Sequence, residues 1–370
     1  MVEYISMRIL RYLLLTLAIL AMPLLLAGIS FEAVSTPEAS IPVKEKRISG
    51  RGVYITAYTA QNADRLAYIK RVCKAHNLDT ICVDAKDMIS QPFTDLIKQR
   101  KLTADTKAIP SPWLTKLTEE LHESGFIVTA RCVAFKDDRL LINRPDLSIK
   151  LPGGAMYRDK KQGRWANPYR DEVRLYNALI AESAAASGVD EIQFDYIRFP
   201  AEGAAANLTF PEEEETSRVE IICQFLAEVK KRTDPYNASL AADIFGVTAW
   251  QSDWDVETLG QSLEAMAKYL DVLSPMFYPS HFHRGYDGFA NPGSEPYYFV
   301  NTGVKKALEI LGSSEAKTKL VPWIQGFNML SPNYGPGYIK AQAKACEDEG
   351  VEGFLIWNAR NVYDNLPADL

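Results

Sequence analysis

The stretch Glu191-Ile-Gln-Phe-Asp-Tyr-Ile-Arg-Phe-Pro200 reads as a β-strand, rich in β-forming residues, entered from Gly188-Val-Asp190 and closed by a proline that cannot carry a ladder further. Strand alternation puts Glu191, Gln193 and Asp195 on one face and Ile192, Phe194 and Tyr196 on the other. Asp195 therefore stands near the C-terminal end of the strand, on its polar face. An acid there can pair with Arg198 or cap the next turn, since buried carboxylates are normally paired. Its meaning depends on what the rest of the chain sets beside it.

Outward from this stretch, strand and helix alternate. The pattern predicts strands at 52–58, 80–87, 126–135, 191–199, 239–246, 271–278, 319–327 and 353–358. Helices are expected at 62–76, from 112 onward, and at 170–187, 216–232, 256–270, 297–311 and 337–349. Near-continuous apolar strands, each followed by a helix, point to an α/β fold, a closed parallel (β/α)8 TIM barrel over residues 50–370. An open doubly wound sheet is the alternative, but no Gly-rich phosphate-binding turn follows the first strand. Two excursions, 88–111 and 136–169, interrupt the alternation, and loops of that length in a compact domain usually serve function.

The N-terminus is of another kind. Arg8 and Arg11 precede an uncharged apolar run from Tyr12 to Phe31, so residues 1–33 are expected to be a signal peptide or membrane anchor. Pro23 and Ala27-Gly28 suit the end of a cleavable signal, and no Cys follows them to carry a lipid. Residues 34–49, with Pro37 and Pro42, read as a linker. The protein is thus expected to be exported, secreted or tethered to the outer face of the cytoplasmic membrane, touching membrane only through this segment. A net charge of −6 without a basic stripe argues against a nucleic-acid partner. Cys73, Cys82, Cys132, Cys223 and Cys346 follow no disulfide or metal spacing and read as small core residues.

In such a barrel the chemistry sits at the C-terminal ends of the strands. Those positions hold Asp84, Lys86 and Asp87; Arg131 and Lys136; Asp195 and Arg198; Asp243; Tyr278 and His281; Gln325; and Trp357 and Asn358. Aromatic residues are interleaved with them, among them Tyr54, Tyr58, Trp165, Trp250, Trp254 and Trp323. Acids beside flat apolar faces suit a sugar, although each aromatic taken singly is more often core. Hydrolysis of a glycosidic bond needs two carboxylates, one to protonate the leaving oxygen and one to attack the anomeric carbon or activate water. Asp195 and Asp243 end neighbouring strands and are the expected catalytic pair, Asp195 as nucleophile or stabiliser and Asp243 as acid/base, with Asp84 or Asp87 as substitute for Asp243. Arg131, Lys86 and Arg198 would keep Asp195 ionised. A metal site of Asp84, Asp87, Asp195 and Asp243 with His281 and His283 is the weaker alternative, because Lys86 and Arg131 would compete with a cation. No Gly-x-Ser-x-Gly elbow is present. Neither a metal nor a cofactor is expected.

Ile192-Gln-Phe-Asp-Tyr-Ile-Arg-Phe-Pro200, taken with Val83-Asp-Ala-Lys-Asp87, Arg131 to Asp137, Trp165-Ala-Asn-Pro168, Ala242-Asp-Ile-Phe-Gly246, Ser274 to His281, Pro322-Trp-Ile-Gln325 and Trp357-Asn358, resembles a bacterial family of glycosyl hydrolases first catalogued as a domain of unknown function. The resemblance runs from about Gly50 to the C-terminus and implies a glycosidase-like TIM barrel. The motif around Asp195 also looks like that of wider glycosidase barrels that cut bacterial and fungal exopolysaccharides, which implies a catalytic role for this Asp. Chitinase-type barrels carry a catalytic Glu two residues after the last Asp of the corresponding motif. Here that position is Ile197, so substrate-assisted chitin hydrolysis is not implied. The expectation is a glycoside hydrolase, retaining in the sense of the short carboxylate spacing, acting on a polysaccharide or oligosaccharide of the cell surface or envelope. Arg131, Lys136, Trp165 and Asn167 are included with the other strand-end residues as substrate contacts. The alternative is a catalytically silent barrel that binds a glycan during envelope assembly.

Overall fold

The computed structural model describes residues 45–314 and 316–370. The expected signal or anchor, residues 1–33, and the linker as far as residue 44 lie outside the described residues. Among the described residues no helix is long and apolar enough to cross a membrane.

The strands are β1 (Arg51–Ile55), β2 (Thr80–Asp84), β3 (Ile127–Val133), β4 (Glu191–Asp195), β5 (Ser239–Phe245), β6 (Val272–Met276), β7 (Lys319–Leu320), β8 (Trp323–Gln325) and β9 (Phe354–Trp357). They pair in parallel in chain order from β1 to β6; β6 pairs with both β7 and β8, β8 with β9, and β9 returns to β1. The sheet is therefore a closed barrel. β7 and β8 are two halves of one stave, interrupted where Pro322 has no N–H to give the ladder. Outward residues such as Ile55, Val83, Val128 and Phe194 pack under the helices, while Tyr54, Cys82, Ala241, Val272, Trp323 and Leu355 fill the interior. Burial on both faces is the reason the strands read as continuous apolar runs.

Several element boundaries differ from the sequence reading. The second strand stops at Asp84, and Lys86–Ile89 turns helical at once. The 88–111 excursion contains a helix, Gln91–Lys98. The helix expected at 256–270 is two, Asp253–Leu259 and Leu263–Ala267, parted at Gly260. Gly260 has φ +70°, and a Cβ there would lie 2.9 Å from the Arg218 carbonyl oxygen, so the break needs glycine. The 136–169 excursion folds back on itself through antiparallel bridges Lys136–Trp165, Ser148–Ala166 and Arg158–Arg164.

The interior of β4 runs through the barrel in three polar steps. At the N-terminal end Glu191 accepts from Ser49 N (3.1 Å) and Ser49 Oγ (2.5 Å) and from Thr129 Oγ1 (3.3 Å). Midway, Gln193 donates to Ser274 Oγ (3.0 Å) and accepts from Cys82 Sγ (3.2 Å). Asp195 tops the series. Ser49 belongs to the segment expected to be linker, which is corrected here. Lys46 pairs with Asp234 and Asp271 (3.0 Å each) and Arg47 with Asp190 (3.0 Å), so residues 46–49 are bound to the barrel and close its N-terminal end. All five cysteines are free and buried.

Candidate active site

Parallel strands end at one mouth, and there the inward positions of β2, β3, β4 and β5 supply Asp84, Arg131, Asp195 and Asp243. The register sets them side by side: Asp84 is opposite Arg131, Asp195 is opposite Val133, and the β4–β5 pairing runs to Phe194–Ala242, one step short of Asp195 and Asp243. Arg131 joins them. Its Nη1 donates to Asp84 Oδ1 and its Nη2 to Asp195 Oδ2, while Nε stands 4.0 Å from Asp243 Oδ2. The guanidinium lies 4.9 Å from the Trp357 ring and 5.5 Å from that of Tyr54, and these two rings stack at 4.0 Å. Tyr54 donates its hydroxyl to Asp84 Oδ2, and Trp323 Nε1 donates to Asp243 Oδ1 (2.6 Å).

The electrostatics follow from one cation facing three acids in a dry place. Burial pushes Asp243 well above the usual carboxylate range, and the charge of Asp195 adds to it, against the opposing pull of Arg131 and the Trp323 hydrogen bond. The Asp243 carboxyl therefore holds its proton more firmly than an ordinary one. Burial alone would lower the Arg131 pKa, but the charges of Asp84 and Asp195 outweigh it and hold this guanidinium charged. Tyr278, at the exit of β6, is raised by burial and then by Asp243 and Asp195, so its hydroxyl stays protonated beside them. Immediately after Asp195, Tyr196 takes φ +51°, a costly conformation for a residue with a side chain, and its N–H donates to Asp195 Oδ1 (2.5 Å). The chain thus turns sharply where the acid is presented.

A cavity of about 660 Å³ opens over the ends of β1 to β3, lined by Tyr58, Asp84, Asp87, Arg131, Lys136 and Ile142 among others. Tyr58 and Ile142 are each 66% exposed, which leaves apolar surface beside Asp84 and Asp87; the lining does not include Asp195 or Asp243. Asp84 is the most open of the three carboxylates, with its side chain 33% exposed; Asp195 is at 10% and Asp243 at 2%.

The remaining expected site residues divide. Asp87 is exposed on the cavity wall, and Lys136 lines it while pairing with Asp159 (2.6 Å). His281 is exposed at the rim, 5.1 Å from the Tyr278 ring. Arg198 is buried over the rings of Phe245, Trp165 and Tyr196. Five residues expected as substrate contacts are instead committed to protein partners. Lys86 borders the cavity but gives its donors to Asp137 (2.7 Å), Asn177 (2.8 Å) and the carbonyls of Val133 and Ala134. Trp165 is 2% exposed and donates to Asp159 (3.2 Å). Asn167 accepts from Tyr169 N (3.0 Å), which fixes a turn. Gln325 accepts from Ser280 N (3.2 Å) and donates to Ser331 Oγ (2.8 Å) and the Phe327 carbonyl (2.9 Å), bracing two loops. Asn358 donates to the carbonyls of Gly326 (2.7 Å) and Val362 (2.8 Å).

Sequence reasoning listed Tyr54 and Trp323 only among the aromatics and missed their roles as donors to Asp84 and Asp243. The signal was present: both occupy inward strand positions, where an aromatic with a polar handle seeks a partner. Among the described residues, no three His, Cys, Asp or Glu side chains are arranged to hold a metal ion, because Arg131 occupies the centre of the acid group.

The profile of a family described as "Putative glycosyl hydrolase domain" matches residues 52–363. Among solved structures, the chain is similar to the glycoside hydrolase domain of PgaB (BpsB) from Bordetella bronchiseptica, with TM-score 0.56 and 13% identity over 84% of this chain and 94% of that one. It is also similar to the β-galactosidase of the psychrophilic Marinomonas ef1, with TM-score 0.52 and 11% identity over 83% of this chain and 54% of that one. At such identities the likeness is one of fold. A hypothetical protein from Ruminiclostridium thermocellum is 27% identical over 52% of this chain and 97% of its own, with TM-score 0.43. No curated protein matches.

Proposed function

The chain belongs to the family described as the putative glycosyl hydrolase domain, and from that premise we propose that it hydrolyses a glycosidic bond of a cell-surface or envelope polysaccharide, with Asp195 and Asp243 as the catalytic pair. The observation that carries the reading is the unequal environment of two acids next in register on adjacent strands. Asp195 is bound to the Arg131 guanidinium, whereas burial and the Asp195 charge keep a proton on Asp243. Two carboxyl groups set in such different surroundings are what acid and nucleophile require.

In the proposed reaction, Asp243 gives its proton to the leaving glycosidic oxygen as Asp195 attacks the anomeric carbon, forming a glycosyl ester. Asp243, now a carboxylate, takes a proton from water, whose oxygen attacks the same carbon and releases Asp195. Adjacent strands lie about 4.8 Å apart, close to the separation of about 5–5.5 Å in retaining enzymes. Asp84 and Tyr54 hold Arg131 in place, and Tyr58 offers a stacking face at the entrance.

The 2% exposure of Asp243 favours the second reading, a barrel that binds a glycan without cutting it. The two separate by experiment. The full-length protein is incubated with a panel of polysaccharides and new reducing ends are measured. Asp195→Asn should abolish their release while the glycan still binds, and a 2-fluoro glycoside should label Asp195 covalently. Undiminished turnover in Asp195→Asn removes the assignment. The uncharged run Tyr12–Phe31 supports export or tethering at the outer face of the cytoplasmic membrane.

A further inference from the structure

Buried guanidinium groups elsewhere in this barrel are matched by acids. Arg131 has Asp84 and Asp195, and Arg144, with its side chain 4% exposed, has Asp146 (2.7 Å) and Glu172 (2.9 Å). Arg198 is also 4% exposed, yet no carboxylate among the described residues comes within ion-pairing distance of it. Asp195 and Glu202 act on it only from farther away, and the nearby Lys136 spends its charge on Asp159. Leaving a buried charge unmatched is costly, and burial does push the Arg198 pKa down.

The way Arg198 is held leaves one side of it free. Nη1 donates to the Phe199 carbonyl (2.9 Å), and the guanidinium carbon lies over the rings of Phe245 (4.1 Å), Trp165 (4.9 Å) and Tyr196 (5.4 Å). Aromatic faces stabilise a cation without using its N–H groups. Nε and Nη2, the two donors that form the lateral fork of a guanidinium, have no hydrogen-bond partner among the described residues. That fork matches a planar oxyanion in two parallel hydrogen bonds. Its position is set by the short β4 exit, three residues after Asp195, beside Phe245 at the end of β5, the strand that carries Asp243.

We propose that the free fork of Arg198 receives an anionic group on the glycan, so that the substrate is an acidic polysaccharide, carrying a uronate carboxylate or a sulfate or phosphate ester next to the bond that is cut. This rests on the hydrolase reading for the position of the bond, but not for the recognition of the charge. A bidentate charge-assisted contact of this kind is worth about tenfold to a hundredfold in affinity.

The test measures binding to full-length Asp195→Asn, which does not turn substrate over, so hydrolysis and recognition are scored apart. Probes are polygalacturonate, alginate and hyaluronan oligosaccharides, each compared with its carboxyl-reduced neutral counterpart, together with a sulfated and a phosphorylated glycan and the cationic chitosan. The expected result is tenfold or greater preference for one acidic class over its neutral counterpart. That preference should fall by at least tenfold when Arg198→Met is added. Arg198→Lys, which keeps the charge and loses the fork, should fall between them and stands in if the Met variant does not fold. The proposal is overturned if neutral or cationic glycans bind as well as acidic ones, if nothing in the panel binds, or if the Arg198 variants weaken acidic and neutral members alike. Acidic preference with no release of reducing ends by the unaltered protein would sink the hydrolase reading and leave this one standing.

Discussion

Glu191→Gln should stabilise the protein at neutral and alkaline pH and leave it nearly unchanged in acid. Glu191 is fully buried at the N-terminal end of the barrel, and burial pushes its pKa from 4.5 up to about 7 against the opposing hydrogen bonds of Ser49 and Thr129. The folded state therefore binds a proton that the unfolded state has released, and only between about pH 4.5 and 7 do the two differ. Stability contributed by the protonated group is whole below 4.5 and is lost as pH rises through about 7. At about 1.4 kcal/mol per pH unit, the gap corresponds to roughly 3 kcal/mol. A glutamine cannot ionise, yet its carbonyl can accept from Ser49 N while its amide donates to Ser49 Oγ and Thr129 Oγ1. Urea midpoints of the unaltered protein and the variant, measured from pH 4 to 8.5, should coincide in acid and diverge above pH 5 in favour of the variant. Glu191 is the least of the causes that raise Asp243, so the difference between the two proteins reports mainly on Glu191. Parallel curves, or a variant less stable above pH 7, would refute the reasoning.

At the other end of the barrel, Arg131→Met leaves Asp84 and Asp195 without their cation and should cost about 3–5 kcal/mol, read as a lowered thermal midpoint at neutral pH; an unchanged midpoint would mean the acids are not held as described. Asp243→Asn should remove the alkaline limb of the activity profile, because the proton whose loss causes that limb is gone, and residual turnover should survive on aryl glycosides with good leaving groups. The measurement is kcat/KM against pH. Trp323→Phe deletes a hydrogen bond that favours the charged form of Asp243, so the same limb should move to higher pH. A downward movement would show that Asp243 does not govern it.

Much of the architecture was legible because the repeating unit is local. Apolar runs, Gly and Pro punctuation and the helical periods between them are properties of ten-residue windows, and counting them leads to the barrel. Boundaries were less legible where a single contact decides. Whether residues 256–270 form one helix depends on how closely Gly260 meets Arg218, and whether the seventh β-stave is continuous depends on Pro322. Asp84, Asp195 and Asp243 could be named from strand ends, but Lys86 and Gln325 looked equally good there. What separates them is whether their donors and acceptors are already taken. Asn177 lies 91 positions from Lys86, and Ser280 lies 45 from Gln325, distances over which no sequence window reports.

By itself, then, the sequence determined the alternation of strands and helices, the inward face of β4 and the acids at the strand ends, because side-chain direction along a strand follows from backbone geometry alone. Only the tertiary structure decided how deeply Asp243 is desolvated, which polar groups brace loops, and which buried arginine is left with an open fork. Those outcomes depend on desolvation and on partners far apart in the chain, and both exist only once the barrel has closed.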